Sequence, residues 1–100
     1  MRNNIVIARY NLNSIKQMIR DGDYFITISA RVSYTELGFS DDEAIATVLS
    51  LNQSDIYKTM PSHQNPNSWQ DVYHKEAKGI MLYIKLQIVQ KAIVISFKEK

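Results

Sequence analysis

Apolar positions between residues 81 and 98 fall into two alternating runs. Leu82, Ile84, Leu86 and Ile88 alternate with Met81, Tyr83, Lys85, Gln87 and Val89. Ile93, Ile95 and Phe97 alternate with Val94, Ser96 and Lys98. A period of two marks a strand with one buried face, and the β-branched content agrees. The runs meet at Gln90-Lys91 and predict a hairpin whose Ile/Leu/Phe face lies on the core. Symmetric pairing about that dipeptide sets Ile88 against Ile93, Leu86 against Ile95 and Ile84 against Phe97. A slip of one residue would mix the faces, so the pattern selects this register. Gln-Lys lacks the Gly or Asn of a good two-residue turn, but a symmetric four-residue loop keeps the same pairing. On the other face Tyr83 then stands opposite Lys98, and Lys85 opposite Ser96.

Upstream the period changes. Leu12, Ile15, Met18 and Ile19 share one helical face, with Asn11 or Asn13 as N-cap and Gly22 as a C-terminal stop. Tyr24 to Ile28 reads as a strand or an extended link. A second helix is expected from about Ser29 to Leu37, ended by Gly38. The third has the clearest start: Ser40-Asp41-Asp42-Glu43 fits a capping box. Its acids suit a helix N-terminus, so a structural role is expected for them rather than a catalytic or metal-binding carboxylate pair. Ala44, Ile45, Val48 and Leu49 form its buried stripe. Ile5 to Ile7 reads as an edge strand. Residues 54–60 (SDIYKTM) lead into a strand, and residues 61–68 (PSHQNPNS) form a loop holding both prolines and an exposed His63. Residues 69–76 (WQDVYHKE) make another strand, and a turn near Lys78-Gly79 leads into the hairpin. Helices first and an antiparallel meander afterwards is an α+β layout, with N-terminal helices packed on a C-terminal sheet.

Composition adds limits. One hundred residues, 45% hydrophobic, with three Gly and two Pro, suit one folded domain over residues 1–100. There is no Cys, so disulfides and thiolate zinc sites are excluded. Two His residues alone make a poor transition-metal site, and no metal or other cofactor is expected. No apolar run approaches a membrane span or the apolar region of a signal peptide, so a cytoplasmic protein is expected. Net charge is +2, but residues 51–100 carry seven Lys and four acids while residues 1–50 are slightly acidic. The basic half coincides with the strands, which hints at a polyanionic partner.

Four motifs then stand in order: SDIYKTM, WQDVY, Tyr83 within LYIK, and the terminal VISFKEK. With TELG at residues 35–38 as an echo in the helical half, the stretch from Leu12 to Lys100 resembles the MqsR family. These are mRNA interferase toxins of bacterial type II toxin–antitoxin pairs, associated with cleavage at GCU. The resemblance implies a RelE-like ribonuclease fold, metal-independent endonucleolytic cleavage of mRNA at GCU-like sites, and growth arrest. It implies an MqsA-like antitoxin, zinc-binding and helix-turn-helix, through which DNA is reached only indirectly. The family's functional residues fall on Lys58, Gln70, Tyr83 and Lys98, with Tyr57 and Met60 as neighbours. One departure is His74, directly after WQDVY, where relatives can carry Arg; a fixed charge is replaced by a group that titrates near pH ~6.5.

The residue types fit RNA cleavage by the 2′-OH. That reaction needs an oriented phosphate, proton transfer to and from oxygen, and stabilisation of added negative charge. Lys58 and Lys98 suit the charge, and Lys85 suits either a phosphate contact or a solvated surface. Tyr83, with a reference pKa of ~10, is a poor base unless a nearby lysine such as Lys98 favours its phenolate. His74 suits proton transfer if it reaches the site, Gln70 suits a phosphate oxygen or base edge, and Tyr57 and Tyr73 suit stacking on bases. Trp69 suits the core, and Lys78, Lys91 and Lys100 read as solvated. The same features fit a non-catalytic RNA-binding or antitoxin-partner module with a regulatory role.

Overall fold

The computed structural model describes residues 5–100. Three helices, α1 (Leu12–Arg20), α2 (Ile28–Glu36) and α3 (Asp41–Leu49), are interleaved with and followed by five strands. The strands are β1 (Tyr24–Ile26), β2 (Ile56–Pro61), β3 (Trp69–Ala77), β4 (Ile80–Val89) and β5 (Lys91–Glu99), and a 3₁₀ turn spans Gln53–Asp55. They form one sheet in the order β1-β5-β4-β3-β2, with the helices covering one face. The result is the expected α+β arrangement, consistent with a RelE-like fold.

Local chemistry sets each helix boundary. The Asn11 side chain accepts from the Ser14 N–H, and Ser40 and Glu43 complete the capping box in both directions at 3.1 and 2.9 Å. Thr27 caps α2 by accepting from the Ala30 N–H. After α1 and α2, Gly22 and Gly38 take positive φ, as helix ends require. The turn between β3 and β4 has φ of 53° at Lys78 and 74° at Gly79, the left-handed pair of a two-residue hairpin. Lys78 is not simply solvated. Its ammonium meets Glu43 at 2.8 Å, donates to the Gly38 carbonyl at 2.9 Å and lies over the Phe39 ring.

The core lies between the helices and the sheet. Ile15, Tyr34, Val48 and Leu51 come from the helical half, and Tyr73, Leu82, Ile84, Leu86 and Phe97 from the strands. Tyr34 and Phe39 both meet the Phe97 ring edge-on at about 5 Å.

Three features depart from the sequence expectation. The outer half of the hairpin has the anticipated register, with Tyr83 opposite Lys98, Ile84 opposite Phe97 and Lys85 opposite Ser96. Nearer the turn the register shifts, and Leu86 faces Val94 while Ile88 faces Ala92. Gln90, at φ 68°, forms the tip, and Ile95 is the extra residue of a β-bulge. Ala92 and Val94 therefore occupy the core, and Ile93 and Ile95 do not. Thr27 Oγ1 donates to the carbonyl of that extra residue at 2.8 Å. Secondly, β1 pairs with β5 in parallel, an addition to the antiparallel meander. Thirdly, Ile5 to Ile7 form no strand; Ile5 and Ile7 are exposed, and the chain is anchored only further on. There the buried Asp71 carboxylate accepts from the N–H groups of Arg9 and Tyr10, both at 2.9 Å.

Candidate ribonuclease site

Alternation along β3 sorts its residues between two environments. Asp71 and Tyr73 point to the helical side; Gln70, Val72, His74 and Glu76 occupy alternate positions on the other. The pairing partners extend that open face. Lys58, Val72, Lys85 and Ser96 stand in one row across β2, β3, β4 and β5. His74, Tyr83 and Lys98 stand in the next. Val72 is fully buried although it lies on the open face, flanked in register by Lys58 and Lys85, whose methylene stems suit covering it. Met60, Gln70 and Gln87 form the row on the other side.

A second register shift, between Ile56 and Lys58, brings Tyr57 to this face as well. Ile56 faces Tyr73 on the core side, and the Tyr57 ring stacks on the His74 imidazole, with centroids 4.1 Å apart and planes inclined by 21°. The His74 ring centroid is 6.0 Å from that of Tyr83. Ammonium groups surround the tyrosines. Lys98 Nζ lies 4.9 Å and Lys85 Nζ 5.8 Å from the centre of the Tyr83 ring, and Lys58 Nζ lies 5.7 Å from that of Tyr57.

The electrostatics follow from this crowding. Burial holds the Lys85 ammonium below the usual lysine range, and Lys98 and Lys58 push the same way. Burial, then the charges of Lys100 and Lys58, lower the His74 imidazole, so its neutral form is favoured. Burial raises Tyr83, with a smaller contribution from Tyr57. The expected phenolate character of Tyr83 is thus not found: Lys98 sits over the ring face, and desolvation favours the neutral phenol. Ion pairs among the described residues engage Arg31, Lys75 and Lys78, and none engages Lys58, Lys85 or Lys98. Three ammonium groups without carboxylate partners on one sheet face suit a polyanion.

Of the nine residues singled out from sequence, eight occupy this face: Lys58, Gln70, Tyr83 and Lys98, with Tyr57, Met60, His74 and Lys85. Tyr73 does not. It is fully buried on the helical side, so stacking on a base is closed to it. Period two separates Tyr73 from His74, and that was the available signal; the acid at Asp71, which shares the inward side, argued against it until its partners Arg9 and Tyr10 were seen. Gln70 is also largely buried, and its amide donates to Gln87 Oε1 at 3.3 Å. The hairpin register already places Ser96 on this face, opposite Lys85. Gln87 and Lys100 carry no site role in the sequence reading; Gln87 emerges through its bond to Gln70, and Lys100 through its influence on His74. Trp69 is half-buried, with the Arg9 guanidinium 4.3 Å above its ring.

Among the described residues no three His, Cys, Asp or Glu side chains gather as a metal-ligating group. No described helix is long and apolar enough to cross a membrane.

Comparison with known proteins gives the family. The family model described as "Motility quorum-sensing regulator, toxin of MqsA" matches residues 7–99. A protein of Escherichia coli (strain K12) named mRNA interferase toxin MqsR is 32% identical over 89 residues, which span 89% of this chain and 91% of that protein. The match covers all five strands and with them every residue of the open face except Lys100. This chain belongs to the MqsR toxin family.

Proposed function

We propose that this chain is the toxin of a type II toxin–antitoxin pair and that it cuts mRNA endonucleolytically on the open face of its sheet. One observation carries the reading. A member of the MqsR family presents Lys58, Lys85, Lys98, Tyr83 and His74 in two adjacent rows, with no carboxylate among the described residues paired to these lysines. Lys58 and Lys98 hold the scissile phosphate and offset the charge that builds up on it. Lys85 and the Tyr57 ring guide the flanking strand, Tyr57 by stacking. Tyr83, a neutral phenol, donates to a phosphoryl or leaving oxygen. Gln70 contacts the phosphate or a base edge with the amide atoms that Gln87 leaves free, and Met60 borders that contact. The reaction is attack by the ribose 2′-OH, which gives a 2′,3′-cyclic phosphate and a 5′-OH. GCU-like sequences are the proposed targets, in the cytoplasm. The antitoxin that silences the activity is an MqsA-like protein, zinc-binding and with a helix-turn-helix.

The test is primer extension on mRNA incubated with the purified protein in EDTA. Sharp cleavage products with 5′-OH ends are expected. Activity that vanished with the chelator and returned with Mg²⁺, or 5′-phosphate ends, would refute the metal-free 2′-OH mechanism. Folded Lys58→Ala should cut at least ten-fold more slowly, since an exposed lysine contributes little to stability and its loss acts on the phosphate.

A further inference from the structure

Proton transfer from the 2′-OH needs an acceptor, and the open face offers few. A lysine ammonium has no acceptor atom, and burial keeps Tyr83 a phenol. His63, the other histidine of the chain, lies exposed in the loop between β2 and β3. His74 stands directly across the β3–β4 ladder from Tyr83, one row from Lys58 and Lys85, and the Tyr57 ring stacked on it restricts the turning of its imidazole.

From this arrangement we infer that His74 is the general base of the reaction, taking the proton of the attacking 2′-hydroxyl. The assignment rests on the ribonuclease reading above and gives a chemical role to a position that a phosphate-binding side chain could otherwise fill. In the step, the His74 nitrogen lone pair takes the 2′-O–H proton as the 2′-oxygen bonds to phosphorus. The P–O5′ bond breaks, and the leaving 5′-oxygen takes a proton from the Tyr83 phenol. Transfer of the imidazolium proton to the phenolate, directly or through water, restores both groups. No oxidant, reductant or metal enters the balance.

The surroundings suit a base. On β2 the neighbours are Tyr57 and Lys58; on β4, Tyr83; on β5 and just beyond it, Lys98 and Lys100. Glu76, two residues along β3 on the same face, pairs with Met81 rather than with a residue of the His74 row, and is exposed. Lys75 points to the other side, towards Asp55. Burial and the positive charges of Lys100 and Lys58 lower the imidazole, so the neutral form that accepts a proton predominates at pH 7. Binding of the RNA phosphates would offset those charges and bring the imidazole back towards its ordinary value, near the working pH, where a base is most effective.

Two variants test the assignment. His74→Asn removes the base. His74→Arg keeps a positive charge for the phosphate but cannot accept a proton. Single-turnover cleavage of a short RNA is measured from pH 5 to 9, beside binding of the same RNA with a 2′-deoxy residue at the scissile position. For the unaltered protein the rate should rise with pH through one ionisation on the acid side of the range. Both variants should cut roughly 10²-fold or more slowly, without that acidic limb. His74→Arg should still bind the uncleavable RNA within about three-fold. Cleavage by folded His74→Arg within about three-fold of the unaltered protein, or an unchanged acidic limb in either variant, would overturn the assignment while leaving the ribonuclease reading intact. An unaltered protein that cut no RNA would overturn both. Titration of the His74 ring protons by NMR gives a readout free of activity; an imidazole still fully protonated at pH 7 with the deoxy RNA bound would also overturn it.

Discussion

Removing one oxygen atom from the core should stabilise this protein. Tyr73 is fully buried, and its hydroxyl is the one buried side-chain polar atom among the described residues without a hydrogen-bond partner. A cavity of about 490 Å³ lies beside it, lined by residues 5–12, Gln53 and Ile56. Leaving a buried hydroxyl unpaired costs ~1–3 kcal/mol, whereas Phe at the same place fills nearly the same volume and requires no partner. Tyr73→Phe is therefore expected to gain about 1 kcal/mol at pH 7, which raises Tm by roughly 4–8 °C for a chain of this size. A second signature appears in alkali. Burial, with smaller contributions from Asp71 and Asp55, pushes the Tyr73 phenol up to about 12 from 10.0. The unfolded chain then gives up this proton at lower pH than the folded one. Stability is lost as pH rises from about 10 and stops falling from this cause above about 12, for a total of ~2–3 kcal/mol. Phenylalanine has nothing to lose, so the advantage of the variant should widen between pH 9 and 11. Urea unfolding at those pH values, compared between the two proteins, isolates the effect from the lysines that titrate in both. A variant less stable than the parent by more than about 1 kcal/mol at pH 7 would refute the reasoning, for it would mean that the hydroxyl has a partner, such as a water in the neighbouring cavity. RNA cleavage should be unchanged; its loss in a folded variant would return Tyr73 to the site.

Tyr83→Phe and Lys98→Ala should each slow cleavage. Because both groups act on one phosphate, the double variant should lose much less than the product of the two, and multiplicative losses in single-turnover assays would show independent roles. Ser40→Ala should cost ~1 kcal/mol in urea unfolding with cleavage intact, since it removes the capping box far from the open face; a neutral result would mean the cap adds nothing to α3.

Much of this arrangement was legible because it depends on local rules. Ser40 and Glu43 announce α3, and Lys78-Gly79 announces a tight turn. The alternation of Leu82, Ile84 and Phe97 with Tyr83 and Lys98 assigns those side chains to opposite faces. The same alternation misled nearer the turn. Ile93 and Ile95 look like core residues, yet a tip at Gln90 and a bulge at Ile95 hand the core to Ala92 and Val94. Bulges answer to closure and twist of the whole sheet, which no local pattern records. The parallel β1–β5 pairing was hidden for a similar reason, since three residues are too few to show a period. At the site, the pairing of Tyr83 with Lys98 could be derived, but the stack of Tyr57 on His74 could not. It needs the irregularity between Ile56 and Lys58, which turns a side chain that strict alternation would send inward.

The place of β5 in the sheet bears on how such a toxin is made. This strand comes last along the chain, yet it lies in the interior of the sheet, between β1 and β4. It supplies Phe97, which Tyr34 and Phe39 clasp, and the Ile95 carbonyl that ties Thr27 and the start of α2 to the sheet. While residues 91–99 are still in the ribosomal tunnel, β1 has no strand to join, the aromatic cluster has no centre and the open face lacks Lys98. Closing contacts between residues almost 70 positions apart must wait until synthesis has passed them. On the ribonuclease reading proposed above, a nascent chain has no complete open face with which to cut its message until β5 emerges. That interval, in which most of the polypeptide exists but its open face does not, is the one in which a partner synthesised at the same time can already be waiting.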